Sequence, residues 1–315
     1  MACYHPLQAW RSLTVNPSGK RSIVFKPENE LHEKTSMITV PCGQCIGCRL
    51  ERSRQWAIRC MHESTLHADN CFITLTYNDD HLPEGGSLIK SDFQKFIKRL
   101  RKNHGVKIRY FACGEYGTEF ARPHYHACIF GFNFRDRKPF KRLHGGHYLY
   151  TSRDLERLWD KGYSTIGAVN FETAAYVARY VTKKVTGKLE EATAHYENFD
   201  KITGEWFSTR QPEYINMSLK PAIGKGWIEK FYDDVYPRDE IIIRGKILKP
   251  PKYYDRLYDL QSPKDFLIIK RQRQRSALEH TKTPEQLLIS EQIKLQKFKL
   301  LKRSYESEPE SILYP

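Results

Sequence analysis

The chain has no run of about 18 or more apolar residues, the length a helix needs to cross a bilayer. Its start, MACYHPLQAWRS, lacks the apolar core of a secretion signal, so we expect a soluble protein that stays inside the cell. No GxxxxGK[ST] stretch occurs, which excludes a P-loop nucleotide site and an inbuilt strand-separating motor. No internal repeat is visible, so a solenoid is excluded as well. Negative charge is in deficit: 37 Asp and Glu stand against 52 Lys and Arg, giving +15 over 315 residues.

That cationic excess is spread through several segments and fits a polyanionic partner, nucleic acid first. Nineteen tyrosines and sixteen phenylalanines lie among the charges, a composition suited to stacking on unpaired bases, although most will be core. Eight cysteines in a chain expected to be intracellular point to metal ligation and burial rather than disulfides. Cys42, Cys45 and Cys48 form a C-x2-C-x2-C turn in PCGQCIGC, the spacing of a thiolate metal site, with structural zinc the expected ion. An iron–sulfur cluster fits less well, since nothing in the chain calls for electron transfer. A helix continuing from Arg49 would carry Cys60 about 18 Å away, so Cys3 is the expected fourth ligand and His5 the runner-up. Cys71, Cys113 and Cys128 fall in strand patterns and are expected as buried small hydrophobes.

Residues 1–40 read as irregular, punctuated by Pro6, Pro17, Gly19 and Pro27. A helix is predicted over 49–63 and a strand over 71–78. Ser91 and Gln94 read as a capping box opening a helix over 91–103, stopped by Gly105. Strands over 106–117 and 124–132 are joined closely enough to make an antiparallel hairpin. A short helix around 155–160, a strand in YSTIGAVN and a helix in FETAAYVARYVTKKVTG, closed by Gly187, follow. This order predicts an α+β fold with an antiparallel sheet and helices packed on one face. Three segments are expected: 1–68, with the cysteine turn and a basic helix; 69–190, the main domain; and 191–315, a basic extension that binds DNA or a partner. The extension holds a strand pair in EIIIRGKIL and an amphipathic helix from Pro284 to Tyr305.

In RPHYHACIFG, His124 and His126 stand two apart on a strand and therefore face the same side. Glu115 ends the preceding strand, where a hairpin turn can bring its carboxylate to both imidazoles; Glu119, nearer the turn, is the alternative. Two imidazoles and a carboxylate leave coordination positions open, which suits Mg2+ or Mn2+ acting on phosphate oxygens. In YVARYVTKK, Tyr176 and Tyr180 are four apart and share a helix face, with Lys183 and Lys184 a turn further on. A phenol is a poor nucleophile unless a cation and a polarised electrophile assist it, and a metal plus a lysine supply both.

CFITLTYN, RPHYHACIFG and AAYVARYVTKK, in that order, resemble the three motifs of rolling-circle replication initiators whose metal motif is His-hydrophobic-His. The two-tyrosine form and PCGQCIGCR most resemble the initiators of the microviruses, particularly the gokushovirus-like phages. The resemblance implies a ferredoxin/RRM-like nuclease core with His124, His126 and Glu115 as metal ligands. It further implies Tyr176 and Tyr180 as nucleophiles and Lys183 or Lys184 as the motif lysine. The implied activity is sequence-specific nicking and rejoining of single-stranded origin DNA through a 5′-phosphotyrosine, in a bacterial host's cytoplasm, with host helicase and DNA polymerase as partners. The basic helices over 49–63, 91–103 and 284–303 would then hold the phosphate backbone. Two other classes compete: a non-haem iron oxygenase, which shares the two-histidine carboxylate triad, and a non-catalytic zinc-containing nucleic-acid binder.

Overall fold

In the computed structural model the described residues are 3–17, 19, 21–35, 37–105, 107–117, 120–143, 146–179, 196–199, 204 and 206–300. They form two compact units, one from Met1–Glu51 with Arg273–Leu301 and the other chiefly from Arg52–Gln272.

The first unit contains β1 (Leu7–Val15), β2 (Arg21–Val24), α1 (Glu30–Thr35) and β3 (Met37–Val40), with an antiparallel sheet in the order β2-β1-β3. The irregular structure expected over 1–40 is thus overturned. Only Ala9, Trp10 and Ser12 of β1 are buried while Leu7, Leu13 and Val15 are exposed, so no clean alternation marks the strand. Trp10 Nε1 donates to the Glu33 carbonyl (3.1 Å), and buried His32 bonds the Arg11 carbonyl through Nε2 (2.8 Å). These contacts fasten α1 to β1.

Next comes α2 (Ile46–Ser64), which starts inside the cysteine turn, three residues before the expected boundary. The second unit is built on β4 (Asn70–Tyr77), α3 (Lys90–His104), β5 (Arg109–Tyr116), β6 (Pro123–Phe130), β7 (Lys138–Arg142), β8 (Tyr148–Thr151), α4 (Arg153–Leu158), β9 (Gly162–Gly167) and α5 (Phe171–Arg179). A short pair follows, β10 (Glu197–Phe199) with β11 (Trp206–Thr209), and then β12 (Tyr214–Met217). The main sheet has seven strands in the order β12-β5-β6-β4-β9-β8-β7, antiparallel throughout. β12 joins this sheet although it lies outside the 69–190 segment marked from sequence.

The α+β antiparallel architecture is as expected, but helices cover both faces. On one face Cys71, Ile73, Leu75, Tyr77, Tyr125 and Ala127 pack against α3 and α4 through Phe93, Phe96, Leu100, Leu155 and Leu158. On the other, Phe72, Phe111, Cys128 and Phe130 pack against α2 and α5 through Ala57, Cys60, Ala174, Tyr176 and Val177. Every residue of β6 is buried, which is what a strand covered on both sides requires. Gly162 is obligatory beside β4: its φ is 143°, and a Cβ there would lie 2.3 Å from the Asn78 nitrogen.

The expected Ser91–Gln94 capping box does not form. α3 starts one residue earlier with Ile89 as N-cap, and the Ile89 N–H is taken by the Tyr125 hydroxyl (3.0 Å) instead of a side chain of the helix. Gly105 closes α3 in the left-handed region (φ 62°) as expected. The helix expected through Gly187 is described only to Arg179.

Beyond β12 come α6 (Lys225–Lys230), α7 (Tyr232–Val235), the hairpin β13 (Ile241–Ile243) and β14 (Lys246–Leu248), α8 (Lys252–Gln261) and α9 (Pro263–Glu279). Ile228, Val235, Tyr236, Tyr254, Tyr258 and Phe266 form a third core with Ile58 of α2. The last described helix, α10 (Pro284–Lys299), opens with a true capping box between Thr283 and Gln286. None of its residues is fully buried, although Leu287 and Phe298 are partly so. At 100° per residue Leu287, Leu288, Leu295 and Phe298 share one arc of about 100°, while Ile289 and Ile293 fall outside it, so the expected amphipathic face is only partly formed.

Candidate active site and metal centres

The register of the central hairpin assembles the first cluster. β5 and β6 pair with Glu115 opposite His124 and Cys113 opposite His126, so the two histidines and the glutamate occupy one corner of the sheet. Glu115 Oε1 lies 3.1 Å from His124 Nε2 and 2.8 Å from His126 Nε2. All three side chains are buried or nearly so. Glu119 lies outside the described residues.

Neighbours fix how the rings are presented. His124 Nδ1 donates to the Arg122 carbonyl (2.9 Å), so its Nε2 lone pair faces the carboxylate; such an arrangement is stable only with a cation, a proton or a metal ion, between them. His126 is held by the Thr74 hydroxyl at Nδ1 (2.9 Å) and by Phe72, whose ring stacks on it at 5.6 Å. Burial alone would push the Glu115 carboxyl up, but the charge and hydrogen bonds of His124 and His126 outweigh it and bring it down to about 2. The site therefore keeps an ionised carboxylate and two convergent imidazoles, a donor set that fits a divalent cation.

Tyr176 reaches the same oxygen from α5. Its hydroxyl donates to Glu115 Oε1 (3.2 Å) and lies 3.4 Å from His126 Nε2, and the Arg179 guanidinium sits 5.3 Å above its ring. α5 can present it there because Ala174, Val177 and Ala178 pack onto the sheet beside it. Tyr180, Lys183 and Lys184 lie outside the described residues. Sequence reasoning missed Thr74 and the Arg122 carbonyl. The alternating Thr74 and Thr76 in CFITLTY hint at polar positions on that face; a backbone carbonyl leaves no trace in sequence.

A second cluster sits in the first unit. The thiols of Cys3, Cys42, Cys45 and Cys48 lie within 4.8 Å of one another. Backbone N–H groups point at these sulfurs: Cys42 N donates to Cys3 Sγ (3.3 Å), Tyr4 N to Cys45 Sγ (3.4 Å) and Cys45 N to Cys42 Sγ (3.3 Å). Burial pushes the Cys45 thiol up, but N–H donation from Tyr4 and Cys48 prevails and draws it down to about 7. Four thiols with N–H groups ready to stabilise thiolates fit a tetrahedral zinc site. Cys3 is thus brought to the cluster, whereas His5 bonds Glu291 (2.5 Å) and Cys60 is fully buried in the core under α2. Cys71, Cys113 and Cys128 are buried in strands, as expected.

The family model for the replication-associated protein ORF2 type matches residues 70–185, the span from β4 through both histidines and Tyr176. A replication-associated protein of Bdellovibrio phage phiMH2K is 34% identical over 276 residues, covering 85% of this chain and 80% of the phage protein. One from Spiroplasma virus 4 is 34% identical over 76% of this chain and 74% of its own length. One from Chlamydia phage 1 is 35% identical over 46% and 38% of the two chains. No solved structure matches. With relatives this similar along most of both lengths, the chain belongs to the replication-associated proteins of small single-stranded DNA bacteriophages and takes part in phage genome replication.

Proposed function

We propose that the protein is a metal-dependent endonuclease that nicks and rejoins origin DNA by tyrosine transesterification, starting and ending rolling-circle replication of a circular single-stranded phage genome. The observation that carries this reading is the position of the Tyr176 hydroxyl, 3.2 Å from the glutamate oxygen on which His124 and His126 also converge. A nucleophile, a carboxylate and two imidazoles at one point are the parts that phosphoryl transfer at a cation needs.

Glu115, His124 and His126 would hold Mg2+ or Mn2+, which when bound polarises the scissile phosphate. The Tyr176 oxygen attacks phosphorus and the bond to the 3′ oxygen breaks, leaving a 5′-phosphotyrosine and a free 3′-hydroxyl. The phenol gives up its proton and the departing 3′ oxygen takes one up, so charge balances and the phosphodiester energy is kept for rejoining. Tyr180 is assigned the second cleavage, and Lys183 or Lys184 the steadying of charge on the phenolate and phosphorus. The cysteine cluster is assigned to structural zinc. With no P-loop in the chain, strand separation falls to a host helicase and synthesis to a host polymerase.

Incubation with single-stranded origin DNA and Mn2+ should yield a denaturation-resistant protein–DNA adduct. Replacing Tyr176 and Tyr180 by Phe, singly and together, should remove it stepwise. Adduct formation by the double variant would overturn the nucleophile assignment, and absence of adduct at unchanged DNA affinity would favour the non-catalytic binder.

A further inference from the structure

Residues 137–151, RKPFKRLHGGHYLYT, carry four Lys and Arg and no acidic residue. They span β7 and β8, and β7 is one of the two edge strands of the seven-stranded sheet. Tyr148 and Tyr150 are two apart on β8 and so share a face. Each has an arginine against it: the Arg142 guanidinium lies 5.9 Å from the Tyr148 ring centre and the Arg137 guanidinium 5.4 Å from that of Tyr150. Tyr148 is 45% exposed, whereas Tyr150 is half-buried and packs against the core on the α3 and α4 side; Arg137 and Arg142 are exposed.

We propose that this hairpin is a stacking platform for unpaired bases of single-stranded DNA. Three observations select that ligand. Paired tyrosines and arginines offer flat π surfaces with positive charge beside them, the combination that holds bases and backbone without sequence readout. The exposed Tyr148 ring, 6.4 Å from the half-buried Tyr150 ring and tilted 47° to it, offers a surface that a base can cover only after leaving its own stack, which a single strand allows and a duplex does not. Pro139 and the register shift between Pro139 and Lys141 spoil β7 as a template for a further strand, which disfavours a peptide partner. The platform lies across β9 and β4 from the Glu115 corner and on the α3 and α4 face of the sheet, opposite the face of His124, His126 and Tyr176, so it grips DNA away from the reacting phosphate. It rests on the nicking reading only for the identity of its ligand.

The test is equilibrium binding of a fluorescent single-stranded oligonucleotide to the full chain in buffer with chelator, where the catalytic cation plays no part. Tyr148→Ala should weaken binding roughly tenfold, and Tyr148→Phe should restore it, while affinity for duplex of the same length stays unchanged. Arg142→Gln, on an exposed side chain, should lower affinity and flatten the salt dependence even if Tyr148→Ala fails to fold. Single-strand affinity within twofold of wild type in Tyr148→Ala and Arg142→Gln overturns the platform, as does equal competition by polyglutamate of matched charge. The wild-type adduct assay with Mn2+ reads the nicking activity separately. Adduct without a platform effect sinks only this inference, and a platform effect without adduct sinks only the nuclease reading.

Discussion

Thr74 is not one of the three convergent metal donors, yet its hydroxyl at 2.9 Å from His126 Nδ1 decides how that ring is used. When Nε2 gives its lone pair to a cation, the ring proton resides on Nδ1 and needs an acceptor, which Thr74 supplies. Thr74→Val keeps the shape and removes the acceptor. Mn2+ affinity measured by calorimetry should fall about 10- to 100-fold, and adduct formation should fall at limiting Mn2+ but recover at saturation. Unchanged Mn2+ affinity would mean that Phe72 stacking alone holds the ring. The histidine pair itself is legible in sequence because strand periodicity is local. Glu115 as the carboxylate follows from hairpin geometry, and the pairing of Glu115 with His124 agrees with it. Thr74 is not legible, because its partner is 52 residues away and reached only through the β4–β6 register.

At the scale of an element, α2 carries its own acid sensitivity. His62 is buried against Trp227 (ring centres 3.5 Å apart) and bonds the Tyr254 hydroxyl (3.0 Å); burial pushes its pKa down to about 3. The unfolded chain takes up a proton near pH 6.5 and the folded one does not, so this contribution to stability is complete above about 6.5 and is lost progressively down to about 3. Between pH 7.5 and 5 His62 alone should cost about 2 kcal/mol. His62→Phe keeps the stacking and should shrink that pH dependence by the same amount, read from urea unfolding at the two pH values. The next residue adds a second limb at lower pH. Burial raises the Glu63 carboxyl, but bonds from His67, the Gly224 N–H and Arg109 overcome this and hold it below the ordinary range. Its stabilising effect is present above that range and lost as pH falls further. Elsewhere, Gly162→Ala should destabilise the β4–β9 pairing by about 3 kcal/mol or more in the same assay, because backbone atoms of Thr76, Tyr77 and Asn78 occupy the Cβ position.

For the whole molecule, sequence pattern reveals the elements with strong periodicity, α2, α3 and β4 to β6, and misses those whose partners are distant. The β1 sheet reads as irregular because it buries only a few side chains, and β12 stays unplaced because its edge position depends on pairing with β5 about a hundred residues earlier. The cysteine cluster lies between these cases: Cys42, Cys45 and Cys48 declare themselves by spacing, whereas Cys3 is reached in sequence only by setting Cys60 aside, and the pairing of β1 with β3 is what returns the chain to it. The segment between Cys3 and Cys42, which holds the small sheet, would therefore be closed by an ion bound to the four thiols. A zinc ion there should be retained at one per chain by metal analysis, and its binding to the stripped protein should release protons, because burial holds the Cys3 and Cys48 thiols in their protonated form until metal displaces the proton. Stripping it should expose residues 1–51 to limited proteolysis while the core built on Arg52–Gln272 keeps its resistance, since the hydrophobic clusters of that core draw on residues 57–269 alone. Cys3→Ser should lose most of the zinc and reproduce that cleavage pattern. Full zinc content in Cys3→Ser, or an unchanged digest after stripping, would show that the first unit is held by its sheet and by the Trp10 and His32 contacts rather than by metal.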